Sequence, residues 1–184
     1  MLLSPLIILS LLPIVRIDAH FDEKSFLLTH KCFKNSLFIF KNSFLTQYKI
    51  LTCISGIDYP DNLYRFCVVY ELLSLKYNSR LRLKILVDEV TPLDSIESVF
   101  VGAAWWESEL WDMFGIFIIK PYSLSRLLTD YGFRGHPLRK DFPLTGFLES
   151  RFNTIKNKVL YENLELSQEH RVMSHLHPWG DIYE

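Results

Sequence analysis

Short apolar runs rich in aromatic and β-branched residues recur through the first half of the chain. They are "SLFIF" (36–40), "YKILTCI" (48–54), "YRFCVVYELL" (64–73) and "LRLKILVD" (81–88). In the last run, apolar Leu81, Leu83 and Ile85 alternate with basic Arg82 and Lys84, as in a strand that has one face in water. The four runs therefore predict strands of a mixed or antiparallel sheet.

The hydrophobic period lengthens after Thr91. Pro92 suits the first turn of a helix, and the side chains of Thr91 and Asp94 would satisfy its free amides. One apolar face then recurs at three- and four-residue spacing through Ile96, Val99, Ala103, Trp106, Leu110 and Met113. This spacing predicts a helix that begins near Thr91 and ends at Gly115. The elements expected to follow are a short strand at 116–119 and one or two helical turns at 123–130.

These elements predict an α+β fold, in which a mixed or antiparallel sheet carries helices on one face and is followed by a long extended C-terminal segment. We divide the chain into an apolar N-terminal arm (1–30), an α+β domain (31–130) and an extended partner-docking segment (131–184). Regular signals in the last part are confined to a possible strand pair around 159–169. A segment with so little pattern of its own typically folds over another surface.

The apolar start of the chain, "MLLSPLIILSLLPIV", has three interpretations. It lacks a basic n-region, it is interrupted by Pro5 and Pro13, and it is shorter than the roughly 20 residues that cross a bilayer. We therefore expect an arm that lies on another protein surface, with a cleaved segment or a membrane anchor as the alternatives.

Composition limits the possible functions. Of the 184 residues, 49% are hydrophobic, which is enough for one folded domain. Aromatic residues make up 15%, more than a small core needs, and large aromatic side chains anchor protein interfaces. The formal net charge of −1 provides no bulk attraction to nucleic acid or anionic lipid. Among possible binding partners, this composition favours another protein.

The three cysteines, Cys32, Cys53 and Cys67, are too far apart in sequence to form a C-x-x-C motif, and no histidine stands at zinc-finger spacing. Each lies among apolar residues, which is typical of a reduced, buried thiol. We therefore expect that this chain by itself binds no iron–sulfur cluster, metal or other cofactor.

Three of the seven glycines fall in "LTDYGFRGHPLRKDFPLTG", residues 128–146. Neither G-x-G-x-x-G nor G-x-x-x-x-G-K-[ST] can be drawn through this stretch, which argues against a phosphate-binding loop. Glycine and proline suit an irregular path, and the charged and aromatic side chains suit contact with a facing surface. The residues expected to dock on a partner are Arg134, His136, Arg139, Lys140, Asp141 and Phe142. The alternative is an ordinary surface loop of the same domain.

Glu109 and Asp112 lie three positions apart on the predicted helix. Paired carboxylates can act as acid and base, so an independent oxidoreductase that uses this pair is one alternative. Three tryptophans lie close by in sequence, and we expect instead a partly buried ion pair with Arg126, Arg134 or Arg139.

Two stretches, "RFCVVYELLSLKYNSRLRLKILVDEVTPLDSIESVFVGAAWWESELWDMFGI" and "LLTDYGFRGHPLRKDFPLTG", carry a family resemblance. Together they resemble the subunit 9 family of mitochondrial NADH:ubiquinone oxidoreductase, the counterpart of the bacterial C subunit of respiratory complex I. The resemblance runs from about Asp58 to about Trp179. A related subunit of a membrane-bound hydrogenase shares this domain and is the other alternative.

The resemblance implies a non-catalytic core subunit in the peripheral arm of complex I, on the matrix side of the mitochondrial inner membrane. The implied partners are the large quinone-site subunit and the neighbouring iron–sulfur subunit, and the C-terminal segment would embrace the larger of them. FMN, iron–sulfur clusters and ubiquinone would belong to other subunits, membrane association would come only through the complex, and no nucleic acid is implied.

The family's signature positions carry over onto this chain. They are Trp106, Glu107, Glu109, Asp112, Phe114 and Gly115 on the helix, and Thr129 to Phe142 in the loop, including Asp130, Gly132 and Gly135. Two positions that are arginine in the family are serine here, at Ser108 and Ser125. Any polar bridge made by those arginines must be absent or replaced in this chain.

Overall fold

The computed structural model describes residues 12–20, 23–119, 121, 124–171 and 173. Within them, the strands are β1 (Ile14–His20), β2 (Glu23–Leu28), β3 (Ile50–Asp58), β4 (Phe66–Ser74), β5 (Ser79–Val87), β6 (Leu93–Asp94), β7 (Ile118–Ile119), β8 (Leu148–Asn153) and β9 (Lys158–Asn163). The α-helices are α1 (Phe33–Asn42) and α2 (Ala103–Phe114), and a 3-10 turn at His30–Cys32 precedes α1. The chain divides into two compact units, Met1–Leu144 and Thr145–Glu184.

The first unit is built on a five-stranded sheet with the order β1-β2-β5-β4-β3. Strand β2 pairs with β5 in parallel, and the other neighbours pair antiparallel. The sheet is therefore mixed, and together with the two helices it confirms the predicted α+β fold.

Both helices pack on the same face of this sheet. In α1, the ring of Phe33 lies 4.5 Å from that of Tyr70, and at the end of α2, the ring of Phe114 lies 6.5 Å from that of Phe66. Phe66 and Tyr70 are an even number of positions apart on β4, so their side chains point to the same side. The opposite face carries polar pairs such as Arg82 with Glu71 on neighbouring strands. The helices-on-one-face arrangement was predicted from the sequence.

Residues 36–40, predicted as a strand, belong to α1, so that prediction was wrong. The buried positions of α1 are Phe33, Ser36, Leu37 and Phe40. Their three- and four-residue spacing is that of a helix that buries one side. The 36–40 run is only five residues long, and periodicity alone does not separate such a run from a strand.

Helix α2 begins at Ala103, about three turns later than predicted, and ends at Gly115 as predicted. The segment before it forms β6, which pairs in parallel with β7, and then a turn in which the amides of Val99 and Phe100 both donate to the carbonyl of Ile96. This segment is not helical, although it buries Leu93, Ser95, Ile96, Val99 and Phe100. The helical turns predicted at 123–130 were also wrong, since residues 124–130 have no helix.

Strands β1 and β2 come from the predicted N-terminal arm and extend the sheet beyond β5. Residues 1–11, the most apolar part of that arm, lie outside the described residues. In the second unit, β8 and β9 form an antiparallel hairpin. The strand predicted near residue 159 exists, but its partner lies upstream, at 148–153. The functional division into arm, domain and docking segment stays a prediction.

Candidate functional site

The side chain of Asp112, on the last turn of α2, holds the segment that follows β7. Its Oδ2 accepts hydrogen bonds from the amides of Leu127, Leu128 and Thr129 at 2.9–3.2 Å, and its Oδ1 accepts one from the Thr129 hydroxyl at 2.5 Å. Arg126 adds an ion pair at 3.4 Å. The pair predicted between Asp112 and one of three arginines is therefore confirmed for Arg126.

Asp112 is buried, and burial by itself raises the pKa of a carboxyl group. The hydrogen bonds from the Thr129 hydroxyl and from the amides of Thr129, Leu128 and Leu127 outweigh it and lower the pKa of Asp112 below its usual value. The carboxylate is therefore ionised at neutral pH and fully occupied by donors. Its position suits a loop anchor and not the transfer of a proton to a substrate.

The main-chain carbonyls at the end of α2 are capped by the loop at 136–139. Nδ1 of His136 lies 3.0 Å from the Asp112 carbonyl, the Leu138 amide donates to the Met113 carbonyl at 3.1 Å, and Nε of Arg139 donates to the Phe114 carbonyl at 2.6 Å. A helix leaves its last carbonyls without internal partners. The loop predicted to dock on a partner thus completes the C-terminus of a helix in its own domain.

Two glycines allow this close approach. Gly115 has a φ of +74°, and a Cβ built there would lie 2.5 Å from Nε2 of His136. Gly135 has a φ of +111°, and a Cβ there would lie 2.7 Å from the ring of Phe142. Both positions combine a left-handed backbone with lack of space, so a side chain would strain them twice over.

A second anchor lies at the end of β3. Asp58 accepts two hydrogen bonds from Arg65, at 2.8 and 3.0 Å, and one from the Lys140 amide at 2.8 Å. Arg65 also pairs with Asp141 at 3.0 Å and with Glu89 at 2.5 Å. The hydrogen bonds from Arg65 come first among the causes that hold the pKa of Asp58 below its usual value, and Asp58 in turn raises the pKa of Arg65. The loop is therefore fastened at two places.

Glu107 is buried on the side of α2 that faces the turn before it. Its Oε2 accepts a hydrogen bond from the Ser95 hydroxyl and its Oε1 one from the Ile96 amide, each at 2.7 Å. Burial raises the pKa of Glu107, although these two bonds lower it in part. This carboxylate is therefore a structural link between α2 and residues 95–96.

The other predicted site residues are placed as follows. Trp106 is half-buried against the core, Glu109 is half-buried, and Asp130 accepts a hydrogen bond from the Tyr131 amide. Gly132 has a positive φ, and Phe142 lies 5.9 Å from the ring of Phe133. Arg134 is exposed. Of the two serines that replace family arginines, Ser108 is buried and Ser125 is exposed.

Sequence reasoning missed Asp58, Arg65 and Glu89. Asp58 was read only as part of a turn, and its bond to the Lys140 amide spans 82 positions. Asp58 and Arg65 flank the β3–β4 turn with opposite charges, which was a usable local signal. Nothing in the local sequence shows that the loop at 139–141 reaches them.

The β8–β9 hairpin of the second unit has two unlike faces. Paired residues of the two strands share a face, and Ser150 pairs with Tyr161 while Arg151 pairs with Leu160. The apolar side chains of the first face are Leu148, Phe152, Val159 and Tyr161, which are between 51% and 59% exposed. The other face is mostly polar and holds the ion pair of Arg151 and Glu162 at 2.6 Å.

Within the described ranges, no group of three or more metal-ligating side chains is gathered in one place. Cys67 is buried, Cys53 is half-buried and Cys32 is exposed, so the expectation that all three are buried was wrong for Cys32. In the same part of the chain, no helix is both long enough and apolar enough to cross a membrane.

Comparison with known proteins gives a consistent result. The family described as "Respiratory-chain NADH dehydrogenase, 30 Kd subunit" matches residues 27–148. "NADH-ubiquinone oxidoreductase subunit 9" of Prototheca wickerhamii is 46% identical over 164 residues, which cover 89% of this chain and 85% of that protein. "NADH dehydrogenase [ubiquinone] iron-sulfur protein 3" of Solanum tuberosum is 51% identical over 134 residues, covering 73% and 70%.

A chain from the structure of the membrane-bound sulfane sulfur reductase, an archaeal respiratory membrane complex, has a similar fold. The TM-score is 0.65 at 19% identity, and the match covers 77% of this chain and 84% of that one. The likeness concerns the fold.

The sequence matches place this chain among the subunits of respiratory-chain enzymes. It belongs to the 30 Kd subunit family of respiratory-chain NADH dehydrogenase and is a core subunit of that enzyme, complex I. The family resemblance seen in the sequence is thereby confirmed, and the match begins 31 positions earlier than Asp58, at residue 27.

Proposed function

We propose that this chain is a non-catalytic subunit of the peripheral arm of NADH:ubiquinone oxidoreductase, on the matrix side of the mitochondrial inner membrane. It supports assembly, and electron transfer from NADH to ubiquinone, by packing against the large quinone-site subunit and the neighbouring iron–sulfur subunit. Those and other subunits hold FMN, the iron–sulfur clusters and ubiquinone, and this chain meets the membrane only through the complex.

The observation that carries the docking role is the apolar face of the β8–β9 hairpin. A two-stranded hairpin is at best marginally stable in water. This one exposes Leu148, Phe152 and Val159 on one face, and covering them would add about 25 cal/mol for each Å² of apolar surface removed from water. A partner surface over this face supplies the burial that the hairpin lacks.

The non-catalytic role is supported by the hydrogen bonds that the buried carboxylates of α2 accept within their own domain. Asp112 is occupied by donors from residues 126–129, and each oxygen of Glu107 accepts one hydrogen bond, from Ser95 or from Ile96. Glu109 remains as the half-buried member of the pair considered for acid–base chemistry. The two relatives are named as NADH–ubiquinone enzymes, which favours complex I over the hydrogenase alternative.

Docking can be tested with two neighbouring substitutions. Val159→Glu puts a charge on the apolar face, whereas Lys158→Glu changes charge on the opposite face of the same strand. In cells whose own copy is removed, we expect Val159→Glu to reduce assembled complex on native gels at least tenfold and Lys158→Glu to change it less than twofold. Normal assembly of the Val159→Glu protein would contradict the proposal.

The non-catalytic role has a separate test in the assembled complex. Glu109→Gln removes the charge with little change of shape, so we expect NADH:ubiquinone turnover per assembled complex to stay within twofold of the unaltered enzyme. A tenfold loss of turnover at normal assembly would show that Glu109 takes part in the reaction.

A further inference from the structure

Two turns meet at one end of the five-stranded sheet. They are residues 43–49, between α1 and β3, and residues 75–78, between β4 and β5. Strands β3 and β4 are paired at this end, and the hydroxyl of Tyr77 in the second turn donates to the Phe44 carbonyl in the first at 2.7 Å. The two turns are therefore held together as one surface.

This surface is apolar and open to solvent. Four large apolar side chains are each between 43% and 72% exposed. They are Phe44, Leu45, Leu75 and Tyr77. Apolar side chains grouped in this way mark interaction sites, whereas single exposed ones are common. Two exposed lysines, Lys49 and Lys76, belong to the same turns, and we call the six residues the basic–aromatic patch.

Lys76 is held over the aromatic rings of the patch. Its Nζ lies 4.1 Å from the centre of the Phe44 ring and 5.4 Å from that of the Tyr77 ring, and the ring faces attract the ammonium group. Asn78 has a φ of +44°, a left-handed conformation that asparagine tolerates in a tight turn. The charge and the rings are thus in place before a partner arrives, which lowers the entropic cost of binding.

The chain around the patch is basic. The stretches 24–57 and 72–87 include both turns and contain no aspartate or glutamate. The whole chain has a formal net charge of −1, so positive charge is concentrated in these two stretches. A local field of this sign attracts carboxylates on a partner.

Three of the four acidic residues that flank these stretches have other partners. Glu23 and Glu71 both pair with Arg82, and Asp58 pairs with Arg65. No ion pair among the described residues includes either lysine of the patch. A facing surface that supplied carboxylates would complement both lysines.

We propose that the basic–aromatic patch binds an acidic segment of a neighbouring complex I subunit. That segment places carboxylates on Lys49 and Lys76 and apolar side chains on Phe44 and Leu75. A protein segment fits better than a lipid surface, because recognition of anionic lipids by charge uses roughly four to eight basic residues and the patch has two. The patch belongs to the first unit and the β8–β9 hairpin to the second, so this inference rests only on membership of complex I and not on the hairpin.

Zero-length cross-linking of the purified, intact complex tests the proposal. A carbodiimide joins a lysine amine to a carboxylate only when the two groups are in contact. We expect Lys76 or Lys49 to be joined to an aspartate or glutamate of another subunit. The proposal is overturned if neither lysine forms such a link, or if the linked carboxylate belongs to this same protein.

Substitutions test whether the charge is what matters. In cells whose own copy is removed, we expect Lys76→Glu to lower the assembled complex on native gels by about fivefold or more. Lys76→Arg keeps the charge and the ring contact and should stay within about twofold of the unaltered protein. Lys158→Glu, the same change on the polar face of the hairpin, is the matched control. Equal losses in Lys76→Glu and Lys76→Arg would overturn the proposal.

Melting of each isolated chain reports whether the variant is folded. Lys49→Glu changes the charge in the other turn and should lower assembly in the same direction, which keeps the test open if Lys76→Glu does not fold. Vesicles of phosphatidylcholine and phosphatidylglycerol test the lipid alternative. Binding of the unaltered chain to these vesicles that Lys76→Glu abolishes would assign the patch to a membrane and overturn the proposal.

Discussion

At the scale of single residues, the carboxylate of Asp112 accepts more hydrogen bonds than any neutral side chain of its size could. Three backbone amides and one hydroxyl converge on its two oxygens. An asparagine would offer one oxygen and turn an NH₂ group towards donors. The negative charge is therefore needed to hold residues 127–129 against α2.

We predict that Asp112→Asn lowers the free energy of unfolding by about 2–3 kcal/mol, because buried donors lose their acceptor. Urea titration measures the change, and hydrogen exchange at Leu127–Thr129 should quicken in the same protein. Glu109→Gln, one turn earlier on the same helix, is the control and should change stability by about 0.5 kcal/mol or less. Equal effects of the two substitutions would contradict the anchoring role of Asp112.

The contributions of Glu107 and Asp112 to the stability of the fold change with pH in opposite directions. The pKa of Glu107 is raised in the folded protein, so the unfolded chain loses this proton first and stability falls as pH rises above about 4.5. The pKa of Asp112 is lowered, so its contribution is present above about 3.9 and is lost as pH falls through its folded value.

We predict that Glu107→Gln flattens the fall in stability on the alkaline side of pH 4.5. The neutral amide keeps the shape and can still bond Ser95 and the Ile96 amide, but it is never ionised. Unfolding measured at pH 5 and pH 8 should show the variant gaining on the unaltered protein as pH rises. If the free energies of unfolding of the variant and the unaltered protein differ by the same amount at pH 5 and pH 8, the pKa of Glu107 is not raised by folding.

At the scale of elements, the hydrophobic pattern predicted a strand correctly where the pattern extended over most of that strand. Strands β3, β4 and β5, of nine residues each, were predicted because apolar residues alternate or run continuously over much of their length. Helix α1 was missed because the apolar run 36–40 is too short by itself to show the helical spacing of Phe33, Leu37 and Phe40. The start of α2 was missed because Ile96 and Val99 keep helical spacing while they lie in a turn.

Gly115 connects α2 to the loop that caps it, and its substitution has a matched control at the other end of the helix. We predict that Gly115→Ala lowers the free energy of unfolding by about 1–3 kcal/mol, from the left-handed backbone and the collision with His136 and Arg139. Gly102→Ala, where a Cβ meets nothing within 4 Å, should change it by about 0.5 kcal/mol or less. Thermal unfolding of both variants checks the difference, and a tolerated Gly115→Ala would contradict the capping geometry.

At the scale of the whole molecule, the sequence could predict that residues 128–146 make specific contacts, but not with what. Asp58 and Asp112 fasten this loop from positions 82 and 17 residues away. Local pattern carries no information on pairs at such separation, and a loop that binds its own domain has the same composition as one that binds a partner. The family resemblance implies a partner but not these internal contacts.

Substitutions of Arg139 and Arg134 can distinguish a loop that stabilises its own domain from a loop that binds a partner. A loop that served only a partner would leave the domain's melting temperature unchanged in Arg139→Glu. Because Arg139 donates to the Phe114 carbonyl at 2.6 Å and lies 3.9 Å from Glu89, we predict instead a loss of about 2 kcal/mol or more. Arg134→Glu, at an exposed position, should leave melting unchanged and lower the amount of assembled complex if Arg134 docks.

Melting of the isolated chain and native gels of the complex give the two readouts. An unchanged melt for Arg139→Glu would show that its contact with α2 contributes nothing to folding. A lowered melt for Arg134→Glu would place that arginine among the internal anchors and remove it from the docking surface.

The parallel pairing of β2 with β5 bears on the order in which the chain acquires its structure. Strands β3, β4 and β5 follow one another through short turns, so each finds its neighbour soon after it is made. Strand β2 joins residue 24 to residue 81, and closing so long a loop is slower and costs more chain entropy. During synthesis, β1 and β2 have no place in the sheet until β5 has left the ribosome. The β1–β2 hairpin can therefore form early, but it is among the last parts of the sheet to reach its place beside β5.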